Sequence, residues 1–164
     1  MNIKDANNQL NRRLADVKQF IEGNDVKDIM GVEAVNHFKQ SFDNEGFTDK
    51  HLVKWTDVKR RNPASKWYGH SGQTGKSSDA RKKAKILSGE TRELKESISY
   101  DRTPIGARIT NGTPYASVHQ FGQKAKIYGK KEFTMTARPF MGKSLVLKRA
   151  IERKIEKRLK DILK

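Results

Sequence analysis

Residues 97–112 read SISYDRTPIGARITNG. Ser97–Asp101 and Gly106–Gly112 read as short strands, and Thr103-Pro104 between them is a turn signal. The texture on either side differs. Downstream, Gly112-Thr113-Pro114 breaks the chain before YASVHQFG (115–122), which predicts a single helical turn. Ile127-Tyr128 and Glu132–Thr136 predict two more strands around the turn Gly129-Lys130-Lys131. ARPFMGKS (137–144) follows. From Ser144 to Lys164 the spacing is helical, with a narrow apolar stripe of Leu145, Ile151, Ile155, Leu159 and Ile162 among basic residues.

Upstream, ILSGETRELKESI (86–98) predicts a helix with Ser88 as its N-cap and Leu87, Leu94 and Ile98 on one face. Near the N-terminus Leu10, Leu14, Val17 and Ile21 recur at helical spacing beside Phe20, and Gly23 is a stop. Asn24 caps a second helix whose first turn carries Asp25 and Asp28. Val26, Ile29, Met30, Val32, Val35, Phe38 and Phe42 are its apolar positions, and Gly46 ends it. These two helices predict a packed hairpin. Between residues 47 and 85 the periodicity fades, and Trp55, Trp67 and Tyr68 stand among Lys, Arg, Ser, Gly and Pro63. A connection of that length is uncommon inside a domain unless it is functional, ordered on binding, or partly strand.

The resulting fold class is α+β: N-terminal helices, a long basic loop (47–85), a small antiparallel sheet and a basic C-terminal helix (143–164). The length of 164 residues fits a single domain over 1–164. Apolar residues are 34% and charged residues 33%, so the core is modest. No apolar run reaches membrane-spanning length, and MNIKDANNQLNRRL holds no signal-peptide segment. The absence of cysteine excludes disulfides, thiol catalysis and cysteine-ligated zinc, and fits a reducing cytoplasm. Net charge is +16, which favours an anionic partner. Its distribution is uneven. Residues 1–53 hold 7 basic and 9 acidic side chains, residues 54–85 hold 10 and 2, and residues 143–164 hold 9 and 3.

The stretch YGHSGQTGKSSDA (68–80) imitates a phosphate-binding loop at Gly75-Lys76-Ser77. A true loop needs glycine five residues before Gly75, so that backbone N–H groups turn toward the phosphates. That position is His70, and Gly69 lies one residue too far. Nor is the preceding RRNPASKWY a buried strand. The four histidines, His37, His51, His70 and His119, share no metal-ligand spacing, and no nucleophile elbow occurs. Sequence therefore argues for no enzyme, no metal and no cofactor. Lys54-Trp55, Lys59-Arg60-Arg61 and Lys66-Trp67-Tyr68 mix stacking platforms with cations, as single-stranded nucleic acid binding requires. The other reading is that Trp55 and Trp67 anchor the loop while the lysines stay in water.

Three motifs occur in order: Ile86-Leu87-Ser88-Gly89 with Leu94 and Ser97-Ile98; Pro114-Tyr115-Ala116 with His119-Gln120-Phe121-Gly122; and Ala137–Ser144. A basic helix follows. This order resembles the phage virion morphogenesis family of Mu-like phages, related to tail completion and neck proteins. Ser88-Gly89 stands where Thr-Gly is common, two extra residues precede Leu94, and Met141 replaces a common Leu. The resemblance covers residues 86–150 well and 20–60 in outline. It implies a structural protein of the virion neck or tail, present in the host cytoplasm during assembly. The resemblance further implies a homo-oligomeric ring that acts in tail completion or head–tail joining. Its expected neighbours are tail-tube, tail-terminator or head-connector proteins, with contact to genomic DNA, and it uses no membrane and no small-molecule substrate. Arg138, Phe140, His119 and Phe121 are the expected contact residues from these motifs, with fold maintenance the other reading, above all for Phe121 and Phe140, and Trp55, Trp67, Lys59, Arg60 and Arg61 are those from the basic loop. The alternative is a nucleic-acid-binding protein that uses the basic, aromatic loop.

Overall fold

A computed structural model describes residues 2–71, 75–127, 129 and 131–164. Six helices and three antiparallel hairpins alternate along it, which makes the chain α+β. Gly72 of the glycine-rich stretch, and Tyr128 and Lys130 of the predicted strand and turn, lie outside the described residues.

Helix α1 (Ile3–Glu22) begins at Asn2, whose side chain accepts from the Lys4 N–H. It ends at Gly23 in an extended conformation rather than the left-handed one that a glycine stop suggests. Helix α2 (Asp25–Asn44) follows at once. Asn24 precedes it but its side chain makes no capping bond, so the expected cap is absent. Asp25 and Asp28 still place negative charge at the positive end of the helix dipole. The end of α2 also departs from expectation. Glu45, not Gly46, takes the left-handed turn (φ 52°), while Gly46 opens strand β1.

The predicted α1–α2 hairpin is only partly made. Of the α1 stripe, Phe20 alone is buried, and Leu10, Leu14 and Ile21 are more than half exposed. Besides Phe20, Arg13 ties α1 to the C-terminal residues, donating to the main-chain oxygens of Leu163 and Lys164 at 2.7 and 2.5 Å. Periodicity announced an apolar face, but the interior of this fold has room for only one end of it.

The core lies on α2 instead. Ala34, Phe38 and Phe42 point inward with Trp55, Ile86, Leu94, Ile98, Phe140 and Leu147. Phe42 sits 5.2 Å from Phe140 and 5.7 Å from Trp55, centroid to centroid. Strands β3 (Ile98–Thr103) and β4 (Gly106–Asn111) form the hairpin expected from residues 97–112, with Pro104-Ile105 at its tip. It packs on α2 at Gly31, where the Tyr100 ring occupies the space of a side chain.

Among its described residues the region 47–85 is partly strand, one of the readings its length left open. Strands β1 (Gly46–Thr48) and β2 (Leu52–Lys54) pair, Lys59–Arg61 form a 3-10 turn, and Asp79–Lys83 form helix α3. Short elements of this size leave no periodicity to read. The helix expected from Ser88 shrinks to α4 (Glu93–Glu96). Before it, Leu87, Gly89 and Arg92 all take positive φ, which breaks any continuous helix, and Ser88 caps nothing.

Helix α5 (Ala116–Phe121) is the predicted single turn, and strands β5 (Lys124–Ile127) and β6 (Lys131–Thr134) make the third hairpin. The expected small sheet is thus three separate two-stranded ones. Helix α6 (Leu145–Leu163) is capped by Ser144, whose Oγ accepts from the Leu147 N–H at 3.1 Å. Asp49 adds a second cap by accepting from the Leu145 N–H at 2.9 Å.

Candidate partner-binding surface

The two C-terminal motifs build one locked corner. Gln120 on α5 accepts from the N–H groups of Phe140 (2.9 Å) and Met141 (3.2 Å), and donates to the Met141 carbonyl at 2.6 Å. The Arg138 N–H donates to the His119 carbonyl at 2.7 Å. Gly122 ends α5 at φ +68°, and a Cβ there would stand 2.9 Å from both Ala137 N and Met135 O. Only glycine satisfies both the turn and the approach. From the other side, Trp55 Nε1 donates to the Pro139 carbonyl at 2.7 Å, and Ser41 Oγ to the Phe140 carbonyl at 3.2 Å.

This corner fixes the place of each predicted site residue. Phe140 and Trp55 are buried, Phe140 completely. Arg138 is 7% exposed and donates to the Thr56 carbonyl through Nη2 at 3.1 Å and Nε at 3.4 Å. Arg60 donates to the carbonyls of Arg81, Ala84 and Lys85 at 3.2, 2.9 and 2.8 Å. Arg61 clamps Glu45 and donates to the Ala84 carbonyl at 2.9 Å. Arg60 thus ties the end of α3 to the 3-10 turn, and Arg61 ties the Ala84 carbonyl to Glu45 at the end of α2. Lys59 and Trp67 stay at the surface, with the Trp67 ring edge-on to His70 at 5.0 Å and Lys66 Nζ 5.5 Å from it. Phe121 projects outward, 69% exposed. His119 is half-buried beside Tyr115, whose hydroxyl donates to Glu93 at 2.7 Å. Burial and that carboxylate push Tyr115 up to about 12.

A model of the phage virion morphogenesis family matches residues 58–160, from the basic 3-10 turn through most of α6. The chain belongs to this family. No curated protein and no solved structure matches it. The family segment completes its core with residues before it, since Ala34, Phe38, Phe42 and Trp55 share one buried cluster with Phe140. The motifs quoted from 114–122 and 137–144 are the parts of this family member that interlock.

Two features of this member escaped the sequence. Glu45 accepts from Arg61 and from the Ile86 N–H at 2.7 Å. A lone Glu before a glycine carries no such signal. Burial works against its charge, but Arg61, the Ile86 N–H and Lys85 outweigh burial and hold its carboxyl below the usual range. A depressed carboxyl stabilises the fold above its unfolded value, 4.5, and that contribution disappears as pH falls through the folded value. Glu45→Gln is therefore expected to lower the urea midpoint at pH 7 and to flatten its decline below pH 4.5. An unchanged acid slope would remove Glu45 from this role. The second feature is Arg81, hidden in the run Arg81-Lys82-Lys83, which lines a groove with Arg60 and Arg138.

On α6, Lys154 pairs with Glu33, and Lys148 with Glu152 at 3.6 Å. Among the described residues, Arg149, Arg153, Lys157, Arg158 and Lys160 form no salt bridge and are exposed. The helix thus presents a basic face to solvent, beyond the expectation of a basic terminal segment only in its geometry. No helix is long and apolar enough to cross a membrane among the described residues.

Proposed function

We propose that this virion morphogenesis protein completes the phage tail or joins it to the head, acting as an oligomeric ring in the neck. The observation that carries the reading is the virion morphogenesis family match over residues 58–160, and exposed large apolar side chains on three separate elements accompany it. Ile105 at the β3–β4 tip is 96% exposed, Ile3 on α1 is 87% exposed and Phe121 on α5 is 69% exposed. In this reading the neighbours are copies of the chain and tail-tube, tail-terminator or head-connector proteins. The basic face of α6 meets an anion, either acidic protein surface or the end of the genome, because repetition around an axis concentrates its field. The chain makes and breaks no covalent bond.

The test is to assemble particles without the protein. Full heads and separate tails should accumulate, and adding the purified protein should restore joined, infectious particles. Normal joining without it would end the proposal.

A second reading has one observation in its favour: Lys66, Trp67 and Tyr68 share an exposed surface, as stacking on single strands needs. A free binder using six to ten phosphates should lose about 10³–10⁵ in affinity between 50 and 200 mM salt. An affinity indifferent to salt would exclude it.

A further inference from the structure

A groove of about 480 Å³ runs between the 3-10 turn, α3, α5 and the 137–144 segment, and three guanidinium groups line it: Arg60, Arg81 and Arg138. Their partners are mostly neutral. Arg60 and Arg138 hold carbonyl oxygens alone among the described residues. Arg81 donates to the Gly89 carbonyl at 2.7 Å and has the Glu90 carboxylate at 3.5 Å, a carboxylate that also accepts from Ser71. Asp57 lies near Arg138, and Glu45 near Arg60, but Glu45 is already clamped by Arg61. Three cations thus share a partly buried groove in which only Arg81 has a carboxylate within ion-pair distance, with Asp57 and Glu45 farther off.

An independent observation points to a missing ligand. Two buried polar atoms of residues lining this groove make no hydrogen bond among the described residues: His119 Nδ1, and Arg81 Nε, which has only the Glu90 carboxylate at 3.5 Å. Native proteins leave few such atoms unsatisfied, and those that remain call for an explanation. The rest of the lining mixes the apolar Val58, Leu87, Leu94 and Met135 with Ser88, Thr91 and Tyr115.

We propose that this groove binds a carboxylate-bearing segment of a partner protein, with an Asp or Glu side chain set between Arg81, Arg138 and His119 and apolar neighbours against Val58, Leu94 and Met135. Guanidinium groups recognise carboxylates with paired, charge-assisted hydrogen bonds. Depth decides against a nucleic-acid backbone. Arg138 is 7% exposed, so a thin side chain reaches it and a bulky sugar-phosphate chain does not. The site is a property of the isolated chain, and its test is independent of head–tail joining.

His119 is the reporter. Burial and Arg138 hold its imidazole below the usual range. An anion placed between them offsets Arg138 and stabilises the protonated ring, so binding raises the His119 titration midpoint. The experiment follows the His119 ring resonances of the full chain by NMR. The probes are an acetylated, amidated Leu-Glu hexapeptide, its Leu-Gln counterpart, inorganic phosphate and a single-stranded oligonucleotide. The Leu-Glu peptide is expected to shift the His119 signals, raise its midpoint and bind at least about tenfold more tightly than Leu-Gln. Arg81→Gln should weaken that binding by a similar factor, while Lys157→Gln on α6 leaves it unchanged. If Arg81→Gln fails to fold, the two peptides on the unaltered chain decide alone. Equal affinity for both peptides, no shift at His119, or no binding at millimolar peptide would overturn the proposal. So would phosphate or the oligonucleotide moving His119 more strongly than the Leu-Glu peptide, which would give the groove to a different anion.

Discussion

Replacing Phe140 by alanine is expected to cost about 3–5 kcal/mol of folding stability. The ring is completely buried, packs on Phe42 at 5.2 Å, and lies in the cluster that also holds Trp55, Leu94 and Ile98. Both main-chain groups of Phe140 are pinned, the N–H by Gln120 and the carbonyl by Ser41. The segment therefore cannot slide inward to fill the vacated space, and the cavity persists. Phe140→Leu should cost less, because it keeps more of the volume. Urea unfolding measures both. A loss below about 1 kcal/mol for Phe140→Ala, combined with failed assembly, would move this residue from the core to an interface.

Gly31→Ala should also destabilise the protein, although alanine is the better helix former by about 1 kcal/mol. A Cβ at this position would stand 2.2 to 2.5 Å from three atoms of the Tyr100 ring. The ring cannot swing away freely, since its hydroxyl donates to Asp28 at 3.1 Å and β3 is paired along its length with β4. Overpacking of this kind costs about 1–3 kcal/mol, so the net change should be unfavourable. Removing the obstacle should reverse the sign. In a Tyr100→Ala background, Gly31→Ala should be neutral or stabilising, and the double-mutant cycle measures the coupling. Absence of coupling would mean that α2 and β3 are not packed at this point.

Acid weakening through Glu45 complements these two, because it tests a contact between the end of α2 and the 3-10 turn rather than the core. Together the three variants probe the joins between the N-terminal helices and the matched family segment.

Several parts of the molecule were legible without coordinates. The β3–β4 hairpin, the turn of α5 and helix α6 follow from turn residues and spacing that act over a few positions. The motif order named the family that the match over 58–160 establishes. The failures share a cause. Ser88 and Asn24 have the right chemistry for caps, but capping depends on backbone angles set by neighbours, and Leu87, Gly89 and Arg92 turn the chain the other way. The stretch 47–85 stayed open between loop and partial strand because much of its order comes from arginines that bind distant carbonyls, not from a repeating apolar face.

The amino-acid order on its own determined the α+β class, the family and the placement of positive charge, since these depend on local spacing, short motifs and composition. Only the tertiary structure decided which apolar residues are buried. It left Leu10 and Leu14 in water and enclosed Phe140 and Trp55, because a small interior on one face of α2 admits few side chains. It alone brought Arg60, Arg81 and Arg138 to one groove from three distant segments, and no spacing along the chain records such a convergence.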